Sequence, residues 1–310
     1  MGVGAEKIQQ LIWLICAKNI YVDALAWSLN LMKIKELPLS LYTVLKLRFG
    51  YAKELKKERD LLPLVISLTS IPERLGTLHL TILSLLVQTT RARKIVLWLN
   101  ESLKASIPDA LAALVGDEFE IRYVSTFSSH RKLVHSLDAF PQEIIVTCDD
   151  DLMYRPQWLE LLYRDHLLYP KDVIAHECRT IATDGLGNVM PYEQWLTETE
   201  FGVTRPWLMP IGYGGVLYPV GCFHTDVVNQ QLFLALTPKA DDLWFKAMSY
   251  LHGVNTRRVS HGCGKPIPIL GSQKVSLKHT NVRQNGNYLQ WLALVKYYRI
   301  NICENVESVK

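Results

Sequence analysis

The chain has 310 residues, of which 49% are hydrophobic and 21% are charged, and this composition excludes a disordered, collagen-like or disulfide-scaffold protein. The net charge is only +4 and its basic excess lies in residues 1–60, so the neutral remainder argues against nucleic acid as the main partner. Six cysteines without a CxxC pair favour free thiols and a cytoplasmic location.

Residues 1–60 are predicted to form a separate helical segment. Apolar residues recur there at helical spacing, Pro38 interrupts the pattern, and a further helix from Leu41 to Leu55 leads into a charged cluster at 56–60. Two interpretations stay open. The segment is either a helical cap on the main domain, or an arm that contacts a partner protein or the inner face of the cytoplasmic membrane.

From residue 62 onward, short apolar strands alternate with helices, which predicts an α/β fold with a mostly parallel sheet flanked by helices. The predicted strands are Leu64–Leu68, Ile95–Leu99, Phe119–Val124, Glu143–Cys148 and Val173–Ala175. The predicted helices are Glu73–Gln88, Pro108–Val115, His130–Phe140 and Pro156–Leu168. Ligands of such sheets lie beyond the carboxyl ends of the strands, so the residues that follow each strand are the first candidates for a site.

Three consecutive carboxylates, Asp149, Asp150 and Asp151, follow the fourth predicted strand. Carboxylates placed together at the end of a buried strand repel one another unless a cation neutralises them, and their oxygens suit Mg²⁺ or Mn²⁺. In an extended backbone Asp149 and Asp151 would point the same way and Asp150 the opposite way. The triplet predicts a metal site, and a solvated acidic turn is the alternative.

A buried strand that ends in D-x-D resembles the nucleotide-sugar glycosyltransferases of the GT-A fold, and in particular family 2-like bacterial enzymes of capsule and lipopolysaccharide synthesis. Four further segments resemble the same family in the same order, at 66–74, 130–133, 212–215 and 240–245. The resemblance implies a Rossmann-like domain over 61–290 and a tail at 291–310. Within the domain, residues 61–155 would bind the nucleotide and 156–290 the acceptor.

The resemblance also implies an activity, a cofactor and donor-side residues. The activity is metal-dependent transfer of a sugar, with inversion, from a nucleoside diphosphate sugar, most commonly a UDP-sugar, to a glycan or lipid-linked glycan. The cofactor would be Mn²⁺ or Mg²⁺, with Asp151, Asp149 and the late His279 as ligands. The donor contacts would be Thr69, Arg74, Lys132, Asp149 and Asp150.

The acceptor side has two candidate motifs. Asp241 and Asp242 begin a predicted helix that runs to about His252; by resemblance Asp242 is the base that takes the acceptor proton, and Asp241 orients the base or the acceptor. The second motif is a glycine-rich aromatic segment, in which glycine lets the backbone approach a ligand and aromatic rings stack on sugars. Its candidate acceptor contacts are Tyr213, Gly214, Gly215 and Trp207.

Other interpretations of the same residues stay open. Clustered carboxylates could serve a metal-dependent phosphodiesterase, and the aromatic segment could belong to a non-catalytic glycan-binding protein. Asp241 and Asp242 could simply cap their helix, and His261 is a rival to His279. Three His/Cys pairs could bind a structural zinc ion, although their spacing matches no familiar finger.

Overall fold

The computed structural model describes residues 36–184, 187–270, 272 and 285–301. Its strands are β1 (Leu61–Thr69), β2 (Arg91–Asn100), β3 (Phe119–Val124), β4 (Ile144–Thr147), β5 (Leu152–Met153), β6 (Val173–Ala175), β7 (Cys178–Thr180), β8 (Leu196–Thr197), β9 (Thr204–Arg205), β10 (Leu208–Pro210), β11 (Val216–Tyr218), β12 (Thr256–Arg258) and β13 (Ile267–Pro268). Its helices are α1 (Leu37–Leu55), α2 (Leu75–Leu86), α3 (Asp109–Ala112), α4 (Arg131–Ala139), α5 (Trp158–Leu168), α6 (Gln230–Leu236), α7 (Asp241–Leu251) and α8 (Gly286–Tyr298).

The central sheet has eight strands in the order β3-β2-β1-β4-β11-β6-β12-β9. The pairs β2–β3, β1–β2, β1–β4 and β6–β12 are parallel. Strand β11 inserts antiparallel between β4 and β6, and β9 closes one edge antiparallel to β12. A three-stranded sheet, β10-β7-β8, and the pair β13-β5 complete the fold. The predicted α/β architecture with a mostly parallel, helix-flanked sheet is confirmed.

Helices cover both faces of the sheet, and this explains the unbroken apolar runs in its strands. Successive side chains of β1 point to opposite faces. Val65 lies in one hydrophobic cluster, whereas Leu64 and Ile66 lie in the cluster on the other face. The core therefore has two layers, and the carboxyl ends of β1 and β4 emerge between them.

Helix α1 packs on the domain through one face. Leu47 is buried in a third cluster with residues of α2 and β13, and the Ser40 hydroxyl donates to the Pro268 carbonyl at 2.8 Å. The predicted helix over 41–55 is confirmed, but it begins at Leu37 and holds Pro38 in its first turn, where the missing N–H is tolerated. Residues 1–35 and 302–310 lie outside the described residues.

One local prediction differs from the structure. The helix expected over 108–115 keeps regular geometry only through α3. Beyond Ala113, the amides of Leu114 and Val115 bond three residues back, to the carbonyls of Leu111 and Ala112, in a tighter turn. The stretch 206–225 contains β10 and β11 with a 3-10 turn at Gly212–Gly214 between them.

Candidate active site

Lys132 joins the acidic triplet to the acidic pair of α7. It lies in the first turn of α4, and its side chain is 6% exposed. Its Nζ atom is 2.9 Å from Asp241 Oδ2, 3.3 Å from Asp149 Oδ1 and 3.9 Å from Asp242 Oδ1. The segment 130–133, the acidic triplet and the acidic pair were identified separately from the sequence. In the structure they meet around the buried ammonium group of Lys132.

Arg74 neutralises the rest of the triplet. Its guanidinium contacts Asp150 Oδ1 at 2.6 Å and Asp151 Oδ2 at 3.1 Å, and the Ser70 hydroxyl donates to the second oxygen of Asp150. Asp150 is 4% exposed, and its burial raises its pKa against the opposing effect of Arg74. Asp150, predicted to contact the donor, thus lies in a buried network that ties the loop after β1 to the end of β4.

The backbone of the triplet is not extended, so the predicted alternation of its side chains is wrong. Strand β4 ends at Thr147, and the chain turns at Asp150 and Asp151. As a result Asp150 and Asp151 share Arg74, whereas Asp149 reaches Lys132. The Asp149 side chain is 35% exposed, which makes it the most accessible carboxylate of the three.

Two tyrosines connect the triplet to the glycine-rich turn. The backbone N–H of Asp149 donates to Tyr154 Oη at 2.8 Å, and that hydroxyl donates to the Tyr213 carbonyl at 3.2 Å. The Tyr213 hydroxyl in turn donates to Glu177 at 3.1 Å. The predicted acceptor residue Tyr213 is half-buried. Its carbonyl is linked to the Asp149 amide by two successive hydrogen bonds through the Tyr154 hydroxyl.

The two carboxyls at the start of α7 have different environments. Burial opposes the ionisation of Asp241, but the adjacent Lys132 outweighs it and lowers the Asp241 pKa, and the Ser129 hydroxyl donates to Asp241 at 2.8 Å. Burial, with the nearby charges of Asp241 and Asp149, raises the pKa of Asp242. A carboxyl pair with separated pKa values is an arrangement that acid–base catalysis uses, and Asp242 is the member whose raised pKa suits a proton acceptor.

The glycines of the turn make room for neighbouring protein groups. Gly212 donates its N–H to Asp242 at 2.8 Å, and a Cβ at this position would lie 2.5 Å from the same carboxylate. A Cβ at Gly214 would lie 2.9 Å from Glu177. Gly215 has φ +94°, and a Cβ there would lie 2.4 Å from the ring of Trp158. Gly212 thus positions Asp242, while Gly214 and Gly215 let the chain pack against Glu177 and Trp158; contact of Gly214 and Gly215 with an acceptor stays a prediction.

Replacing Gly215 with Ala is expected to lower the free energy of unfolding by about 3 kcal/mol, because positive φ and the contact with Trp158 both oppose a side chain. Gly221→Ala is the matched control. Its φ is +69° but no atom lies within 4 Å of the new Cβ, so only about 1 kcal/mol should be lost. Urea denaturation measures both, and equal losses would contradict the packing role of Gly215.

Arg131 is a site residue that the sequence analysis missed. Its guanidinium is buried and donates to Thr69 Oγ1, to the Ser70 carbonyl and, at 3.0 Å, to the Thr126 carbonyl. Arg131 therefore ties the loop after β1 to the loop after β3. Thr69, predicted to contact the donor, uses its hydroxyl for Arg131 and for the Trp98 carbonyl. The only signal for Arg131 was its place beside Lys132 in a basic run.

Two predicted site residues are not brought to this cluster by the described contacts. Trp207 is half-buried against the hydrophobic core, and its carbonyl accepts from the Ile181 amide at 3.1 Å. His279 lies outside the described residues.

The carboxylate oxygens of this site suit a hard divalent cation whose coordination shell is completed by a bound substrate. In the part of the chain that the structure describes, no three His, Cys, Asp or Glu side chains converge to hold an ion. Mg²⁺ is commonly held by one or two carboxylates together with substrate phosphates. The accessible Asp149 matches that mode of binding as a single carboxylate, whereas Asp151 is paired with Arg74 at 3.1 Å.

No protein-family model matches the chain, and no curated protein matches it. Among solved structures, 4-diphosphocytidyl-2C-methyl-D-erythritol synthase from Anaerococcus prevotii is 15% identical over 75% of this chain and 96% of its own, with a TM-score of 0.42. S. aureus TarS is 13% identical over 66% and 59%, with a TM-score of 0.43. CMP:2-keto-3-deoxy-manno-octonic acid synthetase complexed with CTP is 14% identical over 67% and 91%, with a TM-score of 0.36. These scores are all below 0.5, so the functional proposal rests on the site geometry.

Proposed function

We propose that the protein is a glycosyltransferase that moves a sugar from a nucleoside diphosphate sugar to a hydroxyl group of a glycan or lipid-linked glycan. The observation that carries the proposal is the sharing of Lys132 between Asp149 and the pair Asp241–Asp242. It sets an accessible carboxylate, suited to the donor side, beside a carboxyl that can accept a proton. A protein that only bound glycans would have no use for such a proton acceptor.

The proposed reaction is a single displacement at the anomeric carbon. The acceptor oxygen forms a bond to that carbon, the bond to the diphosphate breaks, and the diphosphate leaves with the electron pair. The acceptor proton passes to Asp242, whose raised pKa matches a base that works near neutral pH. Displacement from the face opposite the leaving group inverts the configuration of the sugar.

The nucleoside diphosphate sugar would be bound mainly through charged groups. Asp149, with Asp151 and His279 as further candidates, would hold Mn²⁺ or Mg²⁺ together with the donor diphosphate. When bound, the ion supplies Lewis-acid stabilisation to the negative charge of the leaving group. Lys132 keeps Asp241 ionised and contributes positive charge next to Asp149.

A two-ion phosphodiesterase is less well supported. That chemistry needs several carboxylates grouped around a pair of ions. Here Arg74 takes Asp150 and Asp151, while Lys132 takes Asp149, so the carboxylates of the triplet face two separate cations. This arrangement supports transfer from an anionic donor better than it supports a binuclear centre.

A panel of nucleotide sugars, screened with and without Mn²⁺, tests the proposal. The true donor, at about one hundred times its Kd, should raise the melting temperature by about 5–10 °C, and release of nucleoside diphosphate should require the ion. Asp149→Asn should remove the part of the shift that depends on Mn²⁺. Asp117→Asn, a change at an exposed carboxylate, is the control and should keep it.

The proposal fails if no nucleotide sugar changes the melting temperature in either condition. It also fails if phosphodiesters are cleaved without a sugar acceptor while nucleotide sugars stay intact. If Asp149→Asn and Asp117→Asn behave alike with a donor that binds, the metal part of the proposal is wrong and the donor part stands.

A further inference from the structure

The outward side of α1 carries a continuous apolar stripe. Leu41, Leu45 and Phe49 follow one another at four-residue spacing, which places them on one face of a helix. Their side chains are 54%, 47% and 84% exposed, and Tyr42 beside them is 56% exposed. We call these four residues the α1 stripe. Phe49 is among the most exposed large hydrophobic residues of the described chain, so the stripe is not part of the core.

The opposite side of α1 already accounts for the attachment of this helix to the domain. Leu47 is buried, and Val44 and Tyr51 pack with it against residues of α2 and β13. The Ser40 hydroxyl adds a bond to the Pro268 carbonyl at 2.8 Å. With respect to the residues that the structure describes, the α1 stripe therefore remains available for a second contact while the helix stays docked.

Cations border the α1 stripe on both edges. At about 100° per residue, Arg48 projects to one side of the stripe, and Lys46 and Lys53 project to the other. All three are exposed. The single acidic residue of the helix, Glu54, faces away from the stripe and binds Lys57 at 2.8 Å and Arg59 at 2.6 Å. The exposed side of α1 thus combines an apolar centre with positively charged edges.

We propose that the α1 stripe and its three cations dock on an anionic lipid bilayer. An amphipathic helix with this distribution lies in the plane of the interface, with its apolar side in the headgroup–acyl boundary and its cations at anionic headgroups. Among the described residues no helix is long and apolar enough to cross a bilayer, so the contact is peripheral. A second copy fits less well, since a two-fold contact through this face would bring the cationic edges together.

Docking through α1 would also hold the candidate active site near the bilayer. Strand β13, on which α1 rests, pairs with β5 directly after the acidic triplet. The Ile269 amide next to β13 donates to the Asp151 carbonyl at 3.0 Å. If the proposed function holds, this placement suits a lipid-linked acceptor. The docking itself does not depend on that function, because it is measured without any substrate.

Co-sedimentation of the full chain with vesicles tests the docking. Vesicles of phosphatidylcholine and phosphatidylglycerol in equal amounts should bind the chain, and phosphatidylcholine alone should bind it far more weakly. Since each basic residue near an anionic surface contributes about five-fold, the triple variant Lys46→Gln, Arg48→Gln, Lys53→Gln should bind about 100-fold more weakly. The double variant Leu45→Ser, Phe49→Ser should lose about ten-fold or more.

The matched control changes two apolar residues elsewhere. Leu167 and Leu168 of α5 are 63% and 67% exposed, and the double variant Leu167→Ser, Leu168→Ser should bind as the native chain does. Circular dichroism and melting temperature verify that each variant is folded. The proposal would be overturned if the chain bound neutral and anionic vesicles equally, or if it bound neither. It would also be overturned if the α1 variants bound anionic vesicles as well as the control variant does. So would a dimer in solution that Phe49→Ser dissociates, since the stripe would then be an interface between copies.

Discussion

Asp242→Asn is expected to lower kcat for sugar transfer by about 10²–10⁴-fold, the usual contribution of a positioned general base. The amide keeps the shape of the side chain and can still face the Gly212 amide, but it cannot take a proton from the acceptor. In the proposed function the donor is bound on the Asp149 side of the Lys132 cluster, so the Kd of the donor should change little. The contrast between kcat and Kd separates loss of the base from loss of the fold.

Asp172→Asn is the control for Asp242→Asn. Burial raises the pKa of Asp172 as well, but this residue precedes β6 and the charge that acts on it is Arg257 rather than a member of the Lys132 cluster, so kcat should be unchanged. The pH profile gives a second measurement. Native activity should fall as the pH drops through the raised pKa of Asp242, because a carboxyl that is already protonated cannot take the proton of the acceptor. The residual activity of Asp242→Asn should lack that fall. A variant with nearly native kcat would remove Asp242 as the base.

The parallel half of the fold was predictable because its signals are local. The run Leu64–Leu68 is apolar and β-branched, as a strand covered on both faces must be, and the helix after it begins close to Pro72. The position of the Asp149–Asp151 triplet followed from the strand before it. The acidic pair at the start of α7 also lies where the sequence placed it.

The remaining features depend on tertiary contacts that no local pattern records. Strand β11 has only three residues, all buried, and its antiparallel insertion between β4 and β6 leaves no alternating pattern to detect. The partners of Asp150 and Asp151 were missed for a related reason. Arg74 is 76 positions before Asp150, and only the parallel pairing of β1 with β4 brings the two residues together.

Lys132→Met is expected to lower the free energy of unfolding by about 3–5 kcal/mol near neutral pH. Lys132 is the buried cation nearest to Asp241, and it also contacts Asp149 and Asp242. Its removal leaves charged carboxylates without a counter-ion in a site that water reaches poorly, which is a large cost. Methionine preserves most of the side-chain volume, so the loss reports charge rather than a cavity.

The pH dependence of that loss distinguishes an electrostatic role of Lys132 from a packing role. In the native chain Lys132 holds the Asp241 pKa below its unfolded value, so this pair stabilises the fold above the ordinary carboxyl range and stops doing so as the pH falls through the lowered pKa. Without Lys132, burial raises the folded pKa, and protonation relieves the penalty on acidification. Urea denaturation at about pH 8 and about pH 5 should therefore show the larger loss at the higher pH. Lys171→Met, at an exposed lysine, should cost little at either pH, and an equal loss for Lys132→Met at both would leave packing as its role.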